Sequence, residues 1–159
     1  MNSKVHKGKS VQSPFIRECK RCMHFLCAEY SCQITCEDHA EPRIVFENTT
    51  TYVSLLLDKR EQMTHIRIGR VPRSPNRQQR GWSHDLGDLL VGCAPEQSPY
   101  YEKHEFDWLA VLERAAKDIK TFLPCVLGGD FRLFESAQQI LAAREKEYLE
   151  WSRRMKSKS

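Results

Sequence analysis

The sequence predicts an α+β domain in which an N-terminal helix and two to three C-terminal helices pack on one face of an antiparallel sheet. Apolar residues recur at helical spacing near the N-terminus and across the last third of the chain, whereas apolar and polar residues alternate between these regions. With 159 residues, of which 40% are apolar, the chain is long enough for one domain with a buried core. We expect residues 13–155 to form this domain after a flexible basic tail over residues 1–12.

The first helix is predicted over residues 14–28. Pro14 suits the first turn of a helix, and Ser13 is a candidate N-cap residue. Helical spacing then predicts one buried face, made of Phe15, Cys19, Cys22 and Leu26.

The cysteines of this region allow two interpretations. Five of the seven lie close together, at Cys19, Cys22, Cys27, Cys32 and Cys36. In the first interpretation they pack as small apolar side chains, as free cysteine commonly does. In the second, a zinc ion is held by Cys19, Cys22, Cys32 and Cys36. The odd total argues against a closed disulfide framework, and so does our expectation that the basic, polar residues 1–13 are not a secretory signal. We expect the first interpretation, with no metal and no cofactor.

A β-meander of about three to four strands is predicted next. Extended segments are expected over residues 33–36 and 42–47, and a run of β-branched and aromatic residues predicts a strand over 50–57. The polar turn 58–61 leads to residues 65–71, where apolar and charged residues alternate as in a strand with one solvated face.

Helices are predicted for most of the remaining chain. A short helix is expected from its N-cap residue Ser83 to Leu90, and a longer one over residues 102–123. Asp130 is predicted to cap a last helix that runs to about Arg154. Its apolar face is predicted to consist of Phe134, Ala137, Leu141, Tyr148 and Trp151.

The strongest functional signal is a run of arginines with no acidic residue between Ile66 and Trp82. We expect a strand followed by an exposed loop here, and its positive charge is typical of a surface that binds anions. Alternatively, the arginines pair with acidic residues that follow, such as Asp85 and Asp88. The candidate partner-binding residues are Arg67, Arg70, Arg73, Arg77, Arg80 and Trp82.

The sequence contains no convincing catalytic set. Residues 39–41 match the His-x-Glu part of the zinc deaminase motif, but the Cys-x-x-Cys part is incomplete at Cys125. Cys93 with His84 or His104 is a further pair whose spacing does not bring the two side chains together. We therefore expect no enzymatic activity. The longest apolar runs are far shorter than the ~18 residues of a membrane span, so we expect a cytoplasmic protein.

The order of several segments carries a resemblance to a known class of domains. These segments are Glu29–Ser31 after the first helix, Ile44–Asn48, the hairpin from Tyr52–Leu55 to Ile66–Arg70, Asp85–Leu90, and Leu127–Asp130 before Phe134. In this layout the chain resembles small bacterial α+β domains, some of them similar to immunity proteins of polymorphic or contact-dependent toxin systems. The resemblance implies a protein that neutralises a cognate toxin by stoichiometric binding. Since the net charge is +4, it further implies either an acidic contact face on that toxin or a toxin activity that is not on nucleic acid.

Two functions follow from the sequence. The first is a non-enzymatic protein-binding module of the immunity or antitoxin type, with a cognate protein as its partner and no membrane contact. The alternative is a zinc-containing nucleic-acid-binding protein in which the cysteines are structural and the arginine loop contacts phosphates.

Overall fold

The computed structural model describes residues 12–71, 83–102 and 107–157, so all but the last residue of the predicted basic tail lies outside the described part. It confirms the α+β class, with an antiparallel sheet whose strands lie between the N-terminal and the C-terminal helices in chain order. The prediction of three to four strands is wrong, because the described residues form five. In sheet order, which is also chain order, the strands are β1 (Gln33–Asp38), β2 (Arg43–Glu47), β3 (Thr51–Asp58), β4 (Met63–Arg70) and β5 (Ser83–Asp85).

The fifth strand corrects the prediction that Ser83 caps a helix. Residues Ser83–Asp85 pair with β4, from Gly69 to Arg67. The backbone groups of this segment thereby gain partners at the sheet edge, and the next helix begins only at Leu86, with Asp85 as its N-cap residue. A strand of three residues is too short to show the alternation that identifies a strand from sequence.

Helices precede and follow the sheet. They are α1 (Pro14–Cys22), α2 (His24–Tyr30), α3 (Leu86–Leu90), α4 (Trp108–Phe122), α5 (Pro124–Leu127) and α6 (Arg132–Lys156), with a 3-10 helix (Ser98–Glu102) between α3 and α4. The helix predicted over residues 102–123 begins later, at Trp108. The Asp107 carboxylate accepts the N–H of Ala110 at 3.1 Å and so caps this helix.

The predicted continuous helix over residues 14–28 is interrupted at Met23. This residue has φ −98° and ψ 13°, outside the helical region. The Leu26 N–H donates to the Met23 carbonyl at 2.9 Å, a tighter i to i−3 bond than an α-helix makes. Met23 and Leu26 are both completely buried. The predicted buried face is otherwise confirmed at Phe15 and Cys19, while Cys22 is half-buried.

Asp130 is not the N-cap residue of α6, as predicted, but the residue before it. Phe131 occupies the N-cap position, and the helix begins at Arg132. The Asp130 carboxylate nevertheless accepts the backbone N–H of Arg132 at 3.1 Å, and it also pairs with the Arg132 guanidinium. The predicted residue therefore still supplies an acceptor to the helix N-terminus.

One face of the sheet forms one side of the hydrophobic core. This inner face carries Ile44, Phe46, Val53, Leu55, Ile66 and Ile68, each at most 4% exposed. The helices supply the other side of the same cluster, with side chains such as Phe15, Leu112, Ile119 and Phe134. Because side chains alternate across a strand, the residues between those of the inner face form a second, outer face.

The predicted apolar face of α6 is buried only in its first half. Phe134 and Ala137 are completely buried and Leu141 is half-buried. Tyr148 is 64% exposed and Trp151 is 56% exposed, which corrects the prediction that both pack against the core. No helix within the described residues is long and apolar enough to cross a membrane.

The side chain of Asn48 joins three parts of the fold. Its amide nitrogen donates to the carbonyls of Tyr30 at 3.1 Å and Leu127 at 3.2 Å. Its amide oxygen accepts the N–H groups of Thr50 at 2.9 Å and Thr51 at 2.8 Å, which shapes the turn between β2 and β3. One half-buried amide thus ties the ends of α2 and α5 to the sheet.

Candidate partner-binding face

The strand register places three rows of side chains on the outer face of the sheet. Successive rows run across β2, β3 and β4, and two of them reach β5. The rows are Arg43, Leu56 and His65; then Val45, Ser54, Arg67 and Asp85; then Glu47, Tyr52, Gly69 and Ser83.

The first two rows enclose a shallow depression of about 340 Å³. Its lining combines two guanidinium groups with an imidazole, a carboxylate, a hydroxyl and an aliphatic side chain. These belong to Arg43, Arg67, His65, Asp85, Ser54 and Leu56. The lining therefore offers hydrogen-bond donors and one apolar contact on a rigid strand framework.

Arg67 is held in place by Asp85, but weakly. The Arg67 Nε atom lies 3.2 Å from an Asp85 carboxylate oxygen, and the two side chains are 55% and 53% exposed. Exposed pairs of this kind contribute about 0–1 kcal/mol, so a carboxylate from a partner can replace Asp85 at little cost. Arg43 is exposed and makes no ion pair with any of the described residues.

Tyr52, in the third row, covers the backbone of Gly69 on the neighbouring strand. A Cβ atom built on Gly69 would lie 2.5 Å from the Cε1 and Cζ atoms of the Tyr52 ring. The ring therefore lies against the Gly69 backbone, and only glycine leaves room for it. Tyr52 is half-buried in this position, so part of its ring remains available for contact.

The two described arginines of the predicted site lie on different faces of the sheet. Arg67 is on the outer face, whereas Arg70 pairs with the inner-face residue Thr51. The Arg70 guanidinium lies 5.6 Å from the centroid of the Phe131 ring, a cation–π contact with the helical layer. The other predicted site residues, Arg73, Arg77, Arg80 and Trp82, lie outside the described residues.

Sequence reasoning missed Arg43 and His65 as members of the face. Both are brought beside Leu56 by the pairing of β3 with β2 and β4. The alternation within each strand was visible in the sequence, but the cross-strand register depends on the turns that join the strands. If the predicted strands are aligned as hairpins across their turns, Arg43 and His65 fall beside Leu56, and this alignment is the signal that would have found them.

The N-terminal cysteines are free thiols, and no three of them share a metal-binding geometry. Cys19 and Cys32 are buried, whereas Cys36 pairs with the outer-face residue Val45. Burial raises the pKa of Cys19, and it raises the pKa of Cys32 to about 11. The cysteines of the zinc alternative are therefore divided between the two sides of the sheet, with Cys19 and Cys32 in the core and Cys36 on the outer face.

Among the described residues, one group of three side chains could hold a metal ion, formed by Asp58, Glu61 and His65. Their potential ligand atoms all lie within 4.8 Å of one another. The Asp58 carboxylate already accepts the N–H groups of Arg60 at 2.8 Å and Glu61 at 3.0 Å. These backbone hydrogen bonds lower the pKa of Asp58. The arrangement is explained by the tight turn between β3 and β4, in which an aspartate commonly closes the backbone.

The cysteine and histidine considered for nucleophilic catalysis are engaged elsewhere. The Cys93 Sγ atom lies 3.8 Å from the Leu89 carbonyl oxygen, one turn earlier, and burial raises the pKa of Cys93. Burial lowers the pKa of His84, whose ring packs edge-to-face on Phe134 with centroids 5.2 Å apart. A thiol with a raised pKa is a poor nucleophile at neutral pH. The second candidate histidine, His104, lies outside the described residues.

Comparison with known proteins gives no relative: no family model, no curated protein sequence and no solved structure matches the chain.

Proposed function

We propose that the protein is a non-enzymatic binding module whose outer sheet face receives an acidic surface of a cognate protein. The observation that carries this proposal is the pair Arg43 and Arg67 beside the apolar side chain of Leu56, all on neighbouring strands. Two guanidinium groups on a rigid sheet provide paired donors for carboxylates, and an adjacent apolar contact supplies burial.

The composition of the face favours a protein partner over nucleic acid. Asp85 and Glu47 lie on the same face as the arginines and would repel a phosphate backbone, whose charge is continuous, whereas a protein surface can place its carboxylates opposite the arginines alone. Tyr52 offers one aromatic ring, whereas binding of single strands commonly uses a series of stacking rings. Mixed charge with apolar contact is typical of protein interfaces.

The resemblance to immunity proteins supplies the narrower form of the proposal, in which the cognate protein is a toxin. The module would then cover the active surface of the toxin at a 1:1 ratio and catalyse no reaction. In this form the contact face of the toxin is acidic, which matches the arginines on the sheet.

Arginine footprinting tests which face binds. The partner is captured by the full-length chain from its host and purified, and the complex is treated with phenylglyoxal and mapped by mass spectrometry. We expect protection of Arg43 and Arg67, while Arg17 on α1 keeps its reactivity. Protection of Arg17 alone would contradict the proposal. Equal protection of Arg43 and Arg67 by duplex DNA at physiological salt would favour the nucleic-acid alternative.

A further inference from the structure

The last helix carries an apolar stripe that begins in the core and continues into solvent. Phe134 is completely buried, whereas Tyr148 and Trp151 are more than half exposed and residues 142–151 are all exposed. The stretch from residue 142 to 156 extends over about 22 Å at 1.5 Å per residue. An isolated helix of this length is marginally stable in water, so a surface that covers the stripe would stabilise it.

The stripe has the seven-residue spacing of a coiled coil. Successive positions of the stripe alternate between three and four residues apart, from the buried start of α6 to its exposed end, and all of them except Arg144 are apolar. The first of the two seam positions in each repeat (position a) is occupied by Phe134, Leu141, Tyr148 and Met155. The second (position d) is occupied by Ala137, Arg144 and Trp151. The face that packs in the core is therefore the same face that extends into solvent.

The charges that flank the stripe change sign along its length. Acidic residues flank its earlier part, at Glu145 and Glu147, and a basic residue, Arg154, flanks its last turn. Two antiparallel copies bring the acidic part of one helix against the basic part of the other. When Tyr148 faces Trp151 of the partner subunit, Glu147 flanks Arg154 of the partner subunit, and twofold symmetry repeats both contacts.

We propose that the exposed part of α6 pairs antiparallel with the same helix of a second copy, forming a twofold-symmetric dimer. In the register just given, residue 142 lies opposite residue 157 of the other helix. The pairing therefore spans the exposed stretch and stops where α6 enters its own domain. A parallel pair in register would instead place Arg144 against Arg144 of the partner subunit, a like-charge contact at a seam position.

The area available for this contact indicates a weak dimer. An aromatic side chain buries about 150–250 Å² when fully covered, so the exposed halves of four rings supply on the order of 500 Å². Together with Met155 and the aliphatic parts of flanking side chains, the interface falls near or below the ~1,200 Å² of stable complexes. We therefore expect association that depends strongly on protein concentration.

Charge on the helix also argues for a protein surface over a membrane. Helices that lie on anionic membranes carry basic residues across their polar face. Here Glu145, Glu147 and Glu150 interrupt the basic residues, and anionic headgroups would repel them.

Analytical ultracentrifugation of the full-length chain at increasing concentration tests the proposal. The average mass is expected to rise from 18.6 kDa toward twice that value. Glu147→Arg and Arg154→Glu, made singly, each replace two attractive contacts by repulsive ones and should weaken association by at least about tenfold. The double variant exchanges the two charges and should restore association, while circular dichroism confirms that α6 remains helical in each variant. Lys146→Glu, on the opposite side of the helix from the stripe, is the matched control and should dimerise like the original chain.

Three outcomes would overturn the proposal. They are a chain that stays monomeric at every concentration, a double variant that associates no better than the single ones, and a monomer whose α6 binds phosphatidylserine vesicles. This test of the dimer is separate from the test of the proposed function. The double variant Arg43→Glu/Arg67→Glu changes the outer face of the sheet and should leave dimerisation unchanged.

Discussion

The ring of Tyr52 lies against the backbone of Gly69 on the neighbouring strand, at a distance that leaves no room for a Cβ atom. Gly69→Ala should therefore reduce the free energy of unfolding by about 1–3 kcal/mol, since the ring must move. Chemical denaturation measures this change. In a Tyr52→Ala background the same substitution should be neutral or stabilising, because alanine loses less backbone entropy than glycine on folding. Equal costs in the two backgrounds would show that the ring does not impose the glycine.

Asn48 is expected to be a major determinant of stability although it lies in a turn. Asn48→Ala removes the donor to the Tyr30 and Leu127 carbonyls and the acceptor for the turn, and should cost about 2–3 kcal/mol in the free energy of unfolding. Asn48→Asp keeps the acceptor but directs a carboxylate oxygen at two carbonyls. It should therefore destabilise the protein at neutral pH and less so under acidic conditions. Thermal denaturation of both variants that matches the original chain would contradict this role.

Acidification should weaken the contact between α1 and β1. The Lys20 ammonium, 2.7 Å from the Glu37 carboxylate, lowers the pKa of Glu37 below its ordinary value of 4.5. A lowered carboxyl pKa stabilises the fold above the unfolded pKa, and this stabilisation is lost as pH falls through the folded pKa. Denaturation midpoints measured at and below pH 4.5 should fall more steeply for the original chain than for Glu37→Gln. Parallel curves for the two proteins would exclude this linkage.

Cysteine reactivity separates the core interpretation from the zinc alternative. Cys125 and Cys93 are exposed, whereas Cys19 and Cys32 are buried. Iodoacetamide should modify Cys125 first. Cys93 should react more slowly although the residue is exposed, because partial desolvation of its thiol raises the pKa of Cys93, and the buried pair should react only on unfolding. Peptide mapping by mass spectrometry gives the order. A chelator that releases stoichiometric zinc and unmasks Cys22 together with Cys36 would establish the metal-containing alternative instead.

Periodicity was sufficient to predict several of the elements that pack on the core. Phe15 and Cys19 on α1, and Phe134 on α6, follow the helical repeat and are buried. The break at Met23 was not predictable, because a single tightened hydrogen bond leaves no pattern in the sequence. Trp151 shows the opposite limit: the repeat identifies a face of a helix but not what covers it.

The candidate site was predictable only in part for a similar reason. Arg67 stands out as a charged residue in an alternating strand, and the structure has it on the outer face. Arg43 and His65 join it through cross-strand register, a long-range property that the local pattern does not encode. Arg70 was assigned to the same surface, but its position three residues after Arg67 puts it on the other face of the strand.

The most direct test of the binding face is isothermal titration calorimetry of the purified partner against Arg43→Glu/Arg67→Glu. The matched control is Arg17→Glu/Lys117→Glu, which makes the same change in net charge on α1 and α4. We expect the first variant to lose at least about tenfold in affinity, with thermal stability unchanged, and the control to bind like the original chain. Unchanged affinity in the first variant, or equal losses in both, would show that the partner does not bind the outer face of the sheet.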